Sequence, residues 1–395
     1  MKLILHIGTE KTGSTSLQRW LTANSEALRN QGIWYSSVLG RQDNRLIAVY
    51  ARDSDKPDDG FAKSGIHSEK DHELFRRRLE KEFSNEVMSA SSRKCRSFII
   101  SSEHLHSRIT SSEMVGRVKC LVGIHFEEIE VICYLRPQAH LLQSRLSVGI
   151  RNFTFGPHEF RTFEEEYYYN FNDLVDRWRE HFENVKFLPF VRMPNIINDM
   201  SKLIGVDGSK LSAPDRVNEK LDYRTGNLVY NLQQNSIIKA ENLKMLRINV
   251  NSLPVRDPIL ISRKLAKEIQ DKYHLSNVLV AKKCARIELA DLEPDIESFP
   301  VSGTAEKMLD LWQGRDMLAC TLFRQNCLSR IDRLQIQLLI CELDAVNGNL
   351  ILAREKLEKI SMELGESEEV VGRAMPELFR KLKTEFNRLK NQVNT

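Results

Sequence analysis

The chain lacks the features that would place it in several large protein classes. Its 7 cysteines, Cys95, Cys120, Cys133, Cys284, Cys320, Cys327 and Cys341, stand singly, with no C-x-x-C pair and an odd total. That argues against a disulfide framework and against a zinc ribbon, and leads us to expect a reducing compartment. No stretch approaches the roughly 18 uninterrupted apolar residues of a membrane span. The apolar run at the amino end is too short for a secretory leader. Charge of one sign is also missing: 58 basic residues face 54 acidic ones, a net +4 over 395 residues. Nothing here favours nucleic acid as a partner, although a local basic pocket for an anionic nucleotide remains compatible with this balance. No His/Cys/Asp cluster has metal-ligand spacing, so no metal is expected.

What is present is concentrated in the first eighteen residues, MKLILHIGTEKTGSTSLQ. Leu3, Ile4, Leu5 and Ile7 read as a short buried strand that stops at Gly8. Residues 9–16 are mostly small, hydroxylated or glycine, with one lysine, Lys11. From Ser16 a helical pattern begins, with Leu17, Trp20, Leu21 and Leu28 on one face. A strand, a tight loop and a helix in that order aim backbone N–H groups and a helix N-terminus at one spot, which suits phosphate or sulfate. The loop nearly matches G-x-x-x-x-G-K-[ST]: Gly8, Gly13 and Thr15 fit, but Ser14 stands in the lysine's place and the charge has moved to Lys11.

Further strands are expected at 98–100, 131–135 and 185–190, with 32–37 a short strand or loop. Helices are expected over 41–51, 67–90, 114–121, 139–146, 172–182 and about 195–205. Leu74, Phe75, Leu79, Phe83 and Val87 should form the inner face of the second of these. Strands alternating with helices imply an α/β fold, a parallel sheet with helices on both faces. Residues 53–65 read as an exposed loop, and 217–253 as polar and helical in places. Residues 262–283 read as two helices broken near 274–277, and 291–303 as an acidic linker. The domains expected are therefore an α/β domain over 1–290, a linker over 291–303 and an all-helical extension over 304–395. Residues 338–360 look like a helical hairpin turning at Gly348, similar to a single tetratricopeptide unit; a plain helical cap or a dimerisation element fits equally well.

Two motifs together carry a resemblance. HIGTEKTGSTSLQRWL resembles the 5′-phosphosulfate loop of sulfotransferases that use 3′-phosphoadenosine 5′-phosphosulfate, a P-loop-like fold. YLRPQAHLLQS, with Arg136 leaving a strand and Ser144 eight residues later, resembles that family's 3′-phosphate motif. In style the chain is closest to bacterial carbohydrate sulfotransferases. The likeness covers the first half of the chain well and is absent from the last hundred residues. It implies that Lys11, Thr12, Gly13, Ser14, Thr15, Ser16, Arg136 and Ser144 bind the nucleotide donor, with Lys11 neutralising the leaving phosphate. It also implies that Glu103, at the end of the strand near 100, is the general base, with His104 and His106 as competitors. Alternation along a strand end would set Glu103 and His104 on opposite sides. An arginine can grip phosphate through two parallel charge-assisted hydrogen bonds, and a serine can add a third.

The acceptor implied is a carbohydrate or glycolipid. The aromatic segment 147–169 is a candidate groove for it, through Phe153, Phe155, Phe160, Phe163 and Tyr167 to Tyr169; core packing is the other reading of those rings. Starting directly on its first strand, without the membrane anchor of Golgi members of the family, the chain is expected to be bacterial and cytoplasmic. A homodimer or a protein partner could use the helical tail. Two other functions fit the sequence: a P-loop kinase-like phosphotransferase using ATP and magnesium, and a non-catalytic nucleotide-binding scaffold.

Overall fold

The computed structural model describes residues 1–151, 157–193, 195–207, 211–212, 258–306, 349–368 and 376–394, with short pieces between 330 and 344. Five parallel strands form one sheet: β1 (Lys2–His6), β2 (Ile33–Tyr35), β3 (Ser97–Ser101), β4 (Glu128–Leu135) and β5 (Asn184–Pro189), in the spatial order β2-β3-β1-β4-β5. The α/β architecture expected from the sequence is the one observed, with helical segments towards the C-terminus. β1 is central because both its faces are apolar. Leu3 and Leu5 are fully buried on one face and Ile4 is buried on the other, as a strand covered by helices on both sides requires.

On one face α1 (Ser14–Ala23) presents Leu17, Trp20 and Leu21 to Ile4, Ile99, Ile132 and Tyr134. The same cluster includes Ile196, Ile197 and Met200 of the helix Ile196–Ile204. That helix ends at Gly205 in the left-handed region, φ 62°. On the other face Phe98 meets Phe83 edge-on at 5.8 Å, and Phe126 lies 5.3 Å from it. Phe83 belongs to the long helix Glu69–Ser92, where Phe75, Leu79, Phe83 and Val87 are buried. Leu74 was expected with them but is 56% exposed, because one residue is a 100° turn around the helix.

Several expected boundaries are corrected. The loop 53–65 contains a short helix, Asp59–Lys63, capped by the Asp58 carboxylate accepting from the Gly60 amide. The break expected near 274–277 is absent: Arg263–Lys283 is one continuous helix. Its buried residues Ala266, Ile269, Tyr273, Asn277 and Val280 keep a three-to-four spacing straight through.

By internal contacts the chain divides into one unit of Met1–Asp222 with Val255–Glu306, and another of Tyr223–Pro254 with Lys307–Thr395. Residues 291–303, expected to link two domains, lie in the first unit. Asp291, Leu292 and Phe299 are buried, Arg192 pairs with Glu288 and Asp291, and the Arg263 amide donates to Pro300. In the second unit, Ala353, Leu357, Ile360 and Leu364 of the helix Leu350–Ser367 share an apolar cluster with Leu338 and Cys341. Phe379, Leu382, Phe386 and Leu389 of the helix Pro376–Asn394 complete it. Gly348, all of 217–253, Phe153 and Phe155 lie outside the described residues.

No described helix is long and apolar enough to cross a membrane.

Candidate functional site

The strand order fixes where a ligand can sit. The chain leaves β1 towards β2 on one side of the sheet, and leaves β4 towards β5 on the other. Helices therefore diverge from the carboxyl ends of two adjacent strands and leave a crevice between them. In open parallel sheets that crevice holds the ligand. The Gly8–Gly13 loop follows β1 there, and Arg136 follows β4.

The start of the loop is an extension of the sheet. The Ile7 amide donates to the Ile132 carbonyl at 2.9 Å, the Thr9 amide to Tyr134 at 2.9 Å, and the Tyr134 amide to Gly8 at 2.7 Å. Gly8 has φ 106°, a conformation open to glycine, and a Cβ there would stand 3.2 Å from the Glu10 amide nitrogen and 3.4 Å from the Cα of Glu103. Lys11 and Gly13 are also left-handed, at φ 64° and 84°. The hydroxyls of Thr12 and Ser14 donate to the Thr9 carbonyl at 2.6 and 3.3 Å. Both residues are buried. Thr12 and Ser14, both expected among the donor-binding residues, thus direct their hydroxyl protons to the loop's own backbone, while Thr15 and Ser16 are half-buried at the start of α1. No side chain caps α1 at Gly13, so its first amides keep the orientation that favours an anion.

Arg136 and Lys11 meet. The Arg136 Nη1 donates to the Lys11 carbonyl at 2.7 Å, and its guanidinium lies 5.6 Å from the Phe190 ring centroid. Burial lowers the arginine's pKa. Ser144 is half-buried two turns into the helix Gln138–Arg151 and, among the described residues, bonds neither Arg136 nor the loop.

Glu103 does not end a strand. β3 stops at Ser101, and residues 104–107 form a single helical turn with Glu103 at its N-cap, so strand alternation does not govern this segment. Glu103 and His104 nevertheless diverge. The Glu103 carboxylate accepts from the Gln18 side chain of α1, while the His104 Nε2 lies 3.7 Å from Asp43. Contact with His104 lowers the Asp43 pKa.

His106 is built in as a brace. It is fully buried, its Nδ1 accepts from the Glu10 amide at 3.5 Å, and its Nε2 donates to the Tyr168 carbonyl at 3.0 Å. Burial pushes its pKa down to about 4.

Several participants escaped sequence reasoning. Glu10, inside the loop, accepts from the Tyr168 hydroxyl at 2.7 Å. Burial pushes its carboxyl up, but the Lys11 charge and the Tyr168 hydroxyl prevail and bring it down to about 2. Gln18 is 1% exposed, one turn after Ser14 on α1. That spacing was a usable signal; the pairing of Glu10 with Tyr168, 158 residues away, had none.

Most of the expected aromatic groove is core. Phe160, Phe163, Tyr168 and Tyr169 are buried, and among the described rings of that set Tyr167 alone is exposed, at 40%. Tyr168 is further covered by the Arg145 guanidinium at 4.7 Å. Among the described residues no three His, Cys, Asp or Glu side chains converge as metal ligands would.

No family model matches the chain, and no curated protein matches it. Among solved structures it is similar to a sulfotransferase from Alicyclobacillus acidocaldarius, at 14% identity and a TM-score of 0.41, over 73% of this chain and 97% of that one.

Proposed function

We propose that the protein transfers a sulfuryl group from 3′-phosphoadenosine 5′-phosphosulfate to a hydroxyl or amine of a carbohydrate or glycolipid. The observation that carries the reading is the convergence of the Lys11 loop, the uncapped start of α1 and Arg136 at one crevice. A cation, a ring of amides and a half-buried arginine suit a nucleotide with anionic groups at both ends.

The amides of 13–16, with the Thr15 and Ser16 hydroxyls, would hold the phosphosulfate, and Arg136 with Ser144 the 3′-phosphate. In the transfer the acceptor oxygen attacks sulfur in line. The bond from sulfur to the bridging oxygen breaks, and its electron pair stays on the 5′-phosphate. Lys11 would offset that charge, and Glu103 would take the acceptor's proton. Positioning and charge stabilisation supply most of such a rate enhancement, and a placed base adds about 10²–10⁴-fold.

The test is transfer of radiolabelled sulfate from the donor to a panel of glycans and cell-envelope extracts. Label in a glycan product is the expected result. Label that stays on the donor with every acceptor, while ATP is consumed in the presence of magnesium, would instead establish the kinase-like reading.

A further inference from the structure

We propose that Gln18 is a positioning residue that orients Glu103 for proton removal; the inference rests on Glu103 being the base. The Gln18 Nε2 carries two hydrogens. One goes to the Glu103 Oε2 and the other to the Ser101 carbonyl at 3.2 Å. Both neighbours accept and cannot donate, since one is a carboxylate and the other a peptide oxygen. A flipped amide would set its own oxygen against both, so the contacts themselves fix which end of the amide faces them.

The arrangement holds one carboxylate oxygen and leaves the other. Among the described residues the Glu103 Oε1 accepts no hydrogen bond, so it is the oxygen that receives the proton when the acceptor's O–H bond breaks and the bond to sulfur forms. Gln18 makes and breaks no bond in that step.

Its place in the chain adds a second consequence. Gln18 stands on α1, whose first turn closes the loop proposed for the donor. The loop also runs beside Glu103, so closely that a Cβ added at Gly8 would stand 3.4 Å from the Glu103 Cα. The base is thus tied to α1 by a hydrogen bond and lies beside the loop, so a shift of α1 would carry the carboxylate with it. A side chain 1% exposed and bonded at both hydrogens has little freedom to do otherwise.

The test is a double-mutant cycle on the full chain with Gln18→Met, Glu103→Gln and the pair. Methionine keeps the volume and removes both donors. Turnover is read with radiolabelled donor and an envelope-glycan extract, and affinity for 3′-phosphoadenosine 5′-phosphate by calorimetry. Gln18→Met is expected to lower kcat by about 10- to 100-fold, the scale of one hydrogen bond to a charged group, with nucleotide affinity unchanged within about twofold. In the Glu103→Gln background the same change should cost less than about twofold, because its effect runs through that carboxylate. Independent, multiplying losses would overturn the inference and leave Gln18 a packing residue. Wild-type turnover by Glu103→Gln would instead refute the base assignment. Absence of transfer by the wild-type chain would refute the proposed reaction. If Gln18→Met does not fold, Gln18→Asn retains a buried amide one methylene short of the carboxylate and is read in the same way.

Discussion

Lys11 combines a positive charge with a left-handed backbone, φ 64°, which a lysine adopts only where its surroundings compel it. The carbonyl accepting from Arg136 is one such constraint. If this lysine offsets charge on the leaving phosphate, Lys11→Ala lowers turnover by about 10²–10³-fold or more, measured as labelled product per minute. If Arg136 grips the 3′-phosphate, Arg136→Ala removes that partner and also frees the loop carbonyl. It is expected to weaken nucleotide binding by about 2–5 kcal/mol in a calorimetric titration. Glu103→Gln should cut turnover and spare nucleotide affinity, whereas His104→Ala, whose imidazole pairs with Asp43 among the described residues, should leave turnover close to normal. The opposite pattern would move the base to His104. At this scale the loop and Arg136 were legible because their meaning lies in a few consecutive residues. The pairings of Gln18 with Glu103 and of Glu10 with Tyr168 were not, because they span 85 and 158 residues and only the packed sheet brings the partners together.

At the scale of elements, the site depends on β1 and β4 continuing their pairing past the last strand residues into the loop. Gly8 is the position where this is most exacting. Gly8→Ala combines a left-handed backbone cost of about 1–2 kcal/mol with crowding against the Glu10 amide, and neither can be relieved by turning a side chain. The variant should lose about 2 kcal/mol or more in urea unfolding and bind nucleotide weakly. Normal stability would mean that the loop is more yielding than described. Sequence periodicity found most of the long elements and left the short ones open or unseen. β2 has three residues and the turn after Glu103 has four, too few for a period to register. The helix Arg263–Lys283 was divided in error because His274, Ser276 and Asn277 resemble a break. In the fold Asn277 is buried and bonded to Gln138 at 2.8 Å, so the polar residue is part of the helix's packed face. The segment 291–303 was misread for a related reason: prolines and acids resemble a linker until Leu292 and Phe299 find a core.

At the scale of the whole molecule, stability is tied to pH by histidines that the fold holds neutral. Burial lowers both His6 and His106 from 6.5 to about 4. Between those values the unfolded chain binds more protons than the folded one, so stability is full above about 6.5 and is lost as pH falls towards 4. Glu10 adds a loss in the same direction at lower pH, from 4.5 towards about 2, because its folded carboxyl is depressed. The unfolding free energy from urea titrations should therefore fall between pH 7.5 and 5.5, by about 1 kcal/mol for each of these two histidines, and the midpoint with it. A midpoint unchanged over that range would mean that these rings are hydrated.

The central claim is that Lys11, the start of α1 and Arg136 together form a nucleotide site of defined chemistry. Calorimetric titration of 3′-phosphoadenosine 5′-phosphate in the presence of EDTA tests it most directly. The account predicts one site per chain that binds without metal and is severely weakened in Arg136→Ala. No binding by the wild-type chain, or ATP binding that requires magnesium in its place, would contradict it.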